Sequence, residues 1–296
     1  MAIDLTRLPA PAIIEPLDYE TLLAEYKAQL LALAPAELRD SLAAALQLES
    51  ESLTLLLELA AYRELLQRQR INEAAKASLL AYATGTDLDN RAADYGVARL
   101  LIQPANPDAN PPTEAVWEDD TRLRYRCQMA LEGLSVAGSR GAYLFHTLSA
   151  SADVADAYID TPRGGTVRVW LLDRRGNGVA DAALCATVAK ALNAEDVRPL
   201  CDSVEVKSAQ PKAFTIEAII EWLPGGESLS GGLSAAQKRI DALLVERRQI
   251  AAAVPRSAID AALHAPGVNR VTLKQPATDL LCTVGEFPSC SKVSLS

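Results

Sequence analysis

The chain has 296 residues, 49% hydrophobic and 23% charged, with aromatics at only 5%. That composition supports an aliphatic core and excludes a disordered chain. A formal net charge of −9 disfavours nucleic acid and anionic membrane surfaces as partners, because phosphate binding needs a basic stripe.

The longest apolar run, Leu53 to Ala61, is too short to span a bilayer and contains Glu58. The N-terminus has no basic region followed by an apolar one, so folding in the cytoplasm is expected.

Residues 1–17 carry Pro9, Pro11 and Pro16 and are expected as an extended arm. Residues 18–84 are expected as a helical, bundle-forming region. Asp18 can cap a helix carrying Leu22, Tyr26, Leu30 and Leu33 at three- and four-residue spacing. Pro35 can open a second, short helix with Leu38, Leu42 and Leu46. A third helix is expected from about Glu51 to Ala83, with Leu55, Leu59, Tyr62 and Leu66 in one stripe. Its first half is apolar nearly all round, more than a lone helix can bury. The stripe therefore faces either a bundle partner or the chain's own domain.

Residues 85–150 read as a helical and linker region. Gly85 can end the long helix in the left-handed C′ position, and Thr86 can cap the next. Leu88, Ala92 and Tyr95 share a face of that short helix, and Gly96 can end it. Val97 to Ile102 reads as a strand, followed by a proline-rich linker from Gln103 to Pro112. Glu118, Asp119 and Asp120 suit the positive end of a helix dipole better than a metal site. Ser139 can cap the helix that holds Tyr143 and Leu144.

The pattern then changes to period 2. Residues 151–210 read as a β-β-α-β module: strands Val154 to Ile159 and Thr166 to Leu172, a helix Ala180 to Asn193, and a strand Ser203 to Lys207. Residues 211–278 read as a second α/β module. It has a strand Phe214 to Trp222, helices Ser234 to Ala253 and Arg256 to Leu263, and a strand Val268 to Leu273. The two short-helix-to-strand junctions, Ser139 to Ala157 and Ser257 to Val271, look alike and hint at a repeated unit. Residues 279–296 are set apart as a tail of open role. The fold class is α+β: an N-terminal helical region, then small α/β modules, in an elongated multidomain chain.

Little in the chain points to catalysis. No GxxxxGK[ST] is present, and Gly133-Leu134-Ser135-Val136-Ala137 breaks the GxSxG pattern at its last position. His146 and His264 read as structural. Asp173 to Gly178 reads as a turn, not a calcium loop. Cys127, Cys185, Cys201, Cys282 and Cys290 lack CxxC spacing and read as reduced thiols, although Cys282 and Cys290 bracket a loop and could reach each other. No catalytic residue, cofactor, metal ligand set or small-molecule substrate is expected. A hydrolase on an α+β scaffold and a generic secretion-apparatus adaptor are the competing readings.

One set of motifs is more specific. Ala83-Thr84-Gly85 through Leu88-Asp89, a short helix, and Tyr95-Gly96-Val97-Ala98-Arg99 resemble the signature stretch of the Baseplate J family. Gly138-Ser139 with Tyr143 resembles its A-G-S-x-x-x-Y helix start, and Gly164-Gly165-Thr166-Val167 its hairpin. Asp196-Val197-Arg198-Pro199-Leu200-Cys201-Asp202-Ser203-Val204 resembles its D-x-R-P-L-x-D-x-V segment. Gly267-Val268 with Val271 is similar to its closing strand. The resemblance runs from about Ala60 to Pro276. It implies a structural wedge component of a contractile tail, in a phage or a phage-tail-like bacteriocin. It also implies partners: a second copy of the chain and a smaller tail protein joined through a helical bundle, neighbouring wedges, and sheath-initiator and hub proteins.

Overall fold

The computed structural model describes residues 5, 8, 9, 11–135 and 137–296. The chain divides into two compact units, Met1–Ala98 and Arg99–Ser296. The first is helical and the second is mixed, giving an α+β protein.

In the first unit, α1 (Tyr19–Leu33) starts at Asp18, whose carboxylate accepts the N–H of Glu20 and Thr21. A 3-10 turn (Ala36–Leu38) leads into α2 (Arg39–Ala45). The long helix α3 (Ser52–Ala77) packs Leu57, Ala61 and Leu65 against Tyr19, Leu22, Leu23 and Tyr26 of α1. It is shorter than the expected Glu51 to Ala83. The Ser78 hydroxyl takes the Ala75 carbonyl at 2.7 Å, Arg91 donates to the Ser78 carbonyl at 3.1 Å, and the chain turns away. The arm over residues 1–17 falls partly on residues 1–4, 6, 7 and 10, which lie outside the described residues. Its described part is held to α3: Asn72 donates to the Glu15 carbonyl at 2.8 Å, and the Glu15 N–H returns to Asn72 Oδ1 at 3.0 Å.

Gly85 does not close α3. It opens α4 (Gly85–Ala93) with φ +53. Gly96, at φ +67, does end α4: the Val97 N–H reaches the Ala92 carbonyl and the Gly96 N–H the Ala93 carbonyl, both at 3.0 Å. This is a Schellman closure.

In the second unit, the expected strand Val97 to Ile102 starts later, as β1 (Leu101–Gln103), paired antiparallel with β2 (Val116–Trp117). Asn106 and Thr113 exchange backbone hydrogen bonds at 2.9 and 3.0 Å. The proline-rich stretch is therefore the loop of a hairpin, not an interdomain linker. Asp119 caps α5 (Asp120–Gly133) and Ser139 caps α6 (Arg140–Ala150) through the Ala142 N–H at 3.1 Å.

Next come β3 (Val154–Arg163), β4 (Thr166–Asp173), α7 (Ala182–Leu192) and β5 (Ser203–Ser208). They form a sheet of order β3-β4-β5, antiparallel then parallel. Val167, Val169 and Leu171 of the central strand meet Leu148 of α6 and Leu184, Val188 and Leu192 of α7 in one core.

After Ala209 the chain passes into β6 (Gln210–Trp222), then α8 (Gly226–Ser230), α9 (Gly232–Arg247), β7 (Ala253–Val254), α10 (Arg256–Leu263), β8 (Val268–Gln275), β9 (Leu280–Leu281) and β10 (Glu286–Leu295). Short strands β7 and β9 pair with each other. The residues set apart as a tail thus supply β10, which pairs parallel with β6 as an edge strand of the sheet β10-β6-β8. Cys290 and Val293 of β10 pack on its core. Pro288 and a register shift between Cys290 and Lys292 hide the strand's period in the sequence.

The two sheets share one plan. In each, the central strand is antiparallel to one neighbour and parallel to the other. Two helices in mutual contact cover it, α6 and α7 on one, α9 and α10 on the other. The chain visits the strands in a different order, so the likeness lies in space more than in sequence.

A small core joins the sheets. Tyr158, Trp170 and Leu172 leave the first sheet on the face opposite its helices and meet Ala209, Ile250 and Phe287. Asp156 Oδ2 accepts the Ile250 N–H at 2.8 Å. Burial raises the Asp156 carboxyl above its ordinary range, against the N–H groups of Ile250 and Ala157. A group whose folded pKa is raised stabilises the fold fully below its unfolded value and loses that contribution as pH climbs through the folded one. The Asp156 contribution should therefore fall with rising pH across the window above pH ~4, so the stability of the wild-type chain relative to Asp156→Asn, which keeps an acceptor oxygen, should decline over that window. Urea midpoints of both chains at a series of pH values check this, and a constant difference between them would refute it.

Candidate functional site

Two features of the chain are candidates for function: a face that no described residue of the first unit covers, and a set of signature residues.

The uncovered face is on α3. Leu55, Leu59, Tyr62 and Leu66 are 53%, 58%, 51% and 41% exposed. At ~100° per residue their stripe lies about 120° around the helix from the Leu57, Ala61 and Leu65 face that packs on α1. The 4-3-4 spacing is that of a coiled-coil seam. Within the first unit α1 packs on another face of the helix, and this stripe is left exposed. Glu64 is elsewhere on the helix, held below the ordinary carboxylate range by the Tyr26 hydroxyl and Arg68.

The signature residues do structural work in separate places. In the first stretch, Leu88 is fully buried and Val97 is 4% exposed. Tyr95, expected on the same face as Leu88, is 37% exposed, because the Schellman turn swings Val97 inward instead. Asp89 is exposed on α4. Arg99 donates from Nη1 to the Glu118 carbonyl and from Nη2 to Asp120 Oδ1, both at 2.7 Å, fixing the start of the second unit.

The Gly138–Tyr143 motif and the Asp196–Val204 motif meet. Gly138 has φ +71, and a Cβ there would lie 2.8 Å from Asp202 Oδ2 and 2.9 Å from Pro199 Cγ. Five residues on, buried Tyr143 donates its hydroxyl to the same Asp202 Oδ2 at 2.8 Å. Burial and Asp202 both push the Tyr143 phenol up, so it stays a donor. The start of α6 is thus locked to the loop before β5. Arg198 does not enter the lock; it lies exposed and donates to Asn193 Oδ1 at 3.1 Å. Leu200 of that loop is 101% exposed.

Three residues were missed as sites in the sequence. Asp202 was visible in its motif but had no identifiable partner. Glu118 and Arg122 were obscured by a run that reads equally well as a plain helix start. Glu118 is 2% exposed and pairs with Arg126 and, at 3.2 Å, with Arg122.

All five cysteines are free, Cys282 and Cys290 included. Burial pushes the Cys127 thiol up to about 11, so it is poorly reactive. Among the described residues, no group of three or more His, Cys, Asp or Glu side chains is placed to hold a metal ion. His146 Nε2 lies 3.2 Å from the Gly133 carbonyl oxygen, and His264 caps α10. Among the described residues, no helix is long and apolar enough to cross a membrane.

Three family domains match the chain: the Baseplate J-like N-terminal domain over residues 49–106, the central domain over 135–208 and the C-terminal domain over 225–296. It is also 46% identical over 290 residues to Baseplate protein J of Escherichia phage P2, covering 98% of this chain and 96% of that one. The chain belongs to the Baseplate J family. The Baseplate J-like N-terminal domain contains α3 and α4, and the central one opens at the Gly138 segment and closes on β5. The C-terminal Baseplate J-like domain runs through β10, in agreement with that strand's place in the second sheet.

The lock in the Baseplate J-like central domain can be tested by substitution. Gly138→Ala forces a Cβ into Asp202 and Pro199 at a positive φ and should cost about 1–3 kcal/mol. Gly164→Ala, with open space around it, should stay within about 0.5 kcal/mol. Tyr143→Phe should cost about 1.5–3 kcal/mol, as for a hydrogen bond to a charged group. Denaturant unfolding of the full chain measures all three; equal costs for the two alanines would rule out the lock.

Proposed function

We propose that this chain is a wedge component of a contractile-tail baseplate, joined to its wedge partners through the α3 face. Family membership supports the coarser part, a structural component of a phage-tail baseplate rather than a catalyst. The observation that carries the finer part is the seam of Leu55, Leu59, Tyr62 and Leu66, exposed on a helix whose other face is already occupied. Four large apolar side chains at seam spacing gain stability by meeting another helix. In this reading the partners are a second copy of the chain and a smaller tail protein, in one bundle. The modules of the second unit then join neighbouring wedges around the hub and beside the sheath initiator.

The test is co-expression with the other tail proteins of its operon, followed by native mass spectrometry. A complex of two copies with one smaller protein is expected. Leu59→Glu with Leu66→Glu should leave the chain folded, because both side chains are exposed, and weaken the complex by more than about tenfold, as at a hot spot. A double variant that assembles like the wild type would refute the α3 assignment.

A further inference from the structure

The Leu200 loop and the junction of the two sheets carry complementary surfaces on one molecule. The loop has Pro199 against Gly138 and Asp202 bound by Tyr143. It therefore holds a fully exposed leucine on a fixed support, beside exposed Glu195 and Asp196. A solvent-exposed leucine alone needs no explanation. One that is presented by a buried hydrogen bond and a glycine contact is a preorganised knob.

At the other end of β4, a cavity of about 250 Å³ opens between the turn at Gly176 and Asn177, the end of α9 and β10. Leu244, Val245, Val254 and Pro288 supply apolar wall, and Arg247 and Arg248 line it too. Arg248 reaches the Gly176 carbonyl, a neutral partner, at 3.4 Å. Glu246, an exposed side chain, lies 3.6 Å from Arg247. The loop offers Leu200 with two acids and one base, Arg198, which is engaged by Asn193. The cavity offers an apolar slot with two bases.

The two surfaces cannot meet within one chain. Ser203 is tied to Gly165 at the start of β4, and the 173–178 turn follows its end. The eight residues of β4 separate them by about 25 Å. A self-complementary pair at opposite ends of one rigid module makes a head-to-tail contact, which closes a ring or extends a row. We propose that Leu200 of one copy seats in the Arg247–Arg248 cavity of a second copy, with Glu195 and Asp196 facing the two arginines. This rests on the baseplate reading, and it names the second-unit surfaces through which neighbouring copies join.

Two native cysteines report on the contact. Cys201 is exposed next to the knob, and Cys290 lines the cavity. A short bis-maleimide added to intact baseplates should join Cys201 of one copy to Cys290 of its neighbour, read as a cross-linked peptide by mass spectrometry. The 25 Å within one chain rules out an internal link. Leu200→Asp, and separately Arg247→Glu with Arg248→Glu, should reduce that peptide at least tenfold. Adding Glu195→Lys and Asp196→Lys to the arginine variant should restore it. Complete baseplates without the peptide, or with Cys201 joined to a different tail protein, would overturn the contact while leaving the α3 wedge assignment standing.

Discussion

Much of the second unit depends on one guanidinium group. Arg122 donates to the carbonyls of Leu148, Ser151 and Ala152 at 3.0 to 3.1 Å and to that of Val154. These oxygens are the open end of α6 and the start of β3, so a single side chain closes one helix and orients the next strand. Its positive charge also suits a helix C-terminus. Burial pulls the Arg122 pKa down, and Glu118 opposes that effect. Glu118 in turn needs Arg126, whose Nε reaches Ser149 at 3.3 Å. Removing one member would strand a buried charge, at a cost of about 3–5 kcal/mol. The ions are tolerated because opposite charges lie together, Glu118 between Arg122 and Arg126, although Glu118 Oε2 and Arg122 Nε make no hydrogen bond.

From that anchor the rest follows by packing. Once α6 and β3 are placed, Tyr143 and Leu148 point into the core with α7, and the loop before β5 is drawn in by Asp202. The sheet then has only one free face, which the aromatic pair Tyr158 and Trp170 share with Phe287 and Ile250. Gly285 lies against the Trp170 ring, where a Cβ would come within 2.9 Å. With so few aromatics in the chain, three of them sit at this junction. Large flat side chains bury the most area per residue, so a short interface can still be rigid.

The elements that were legible in the sequence are those whose period is undisturbed. Phe214, Ile216, Ala218 and Ile220 alternate cleanly and form β6; Asp18, Asp119 and Ser139 stand where caps are needed and serve as caps. Illegible parts depend on partners far along the chain. The end of α3 is set by Arg91 and Ser78, not by a breaker. β10 is recruited by β6 despite Pro288 and its register shift. Gly138 shows its purpose only once Asp202, 64 positions later, comes to lie against it. The motifs of the Baseplate J family carried more information about function than any chemical pattern did, because a scaffold leaves no catalytic signature.

On the proposed reading, the α3 seam must stay open in a free copy until its partners arrive. Its four apolar positions end in Gln69, Arg70 and Glu73, so the sticky length is about two heptads. A two-stranded contact that short is marginal in water. The net charge of −9 adds repulsion between free copies, screened beyond ~8 Å at physiological salt. Neither term prevents assembly when several helices close on the seam together, since each added helix buries more apolar surface for the same ordering cost. If the seam is the bundle surface proposed above, a weak pairwise contact and a stronger many-bodied one would give a threshold in assembly without any moving part.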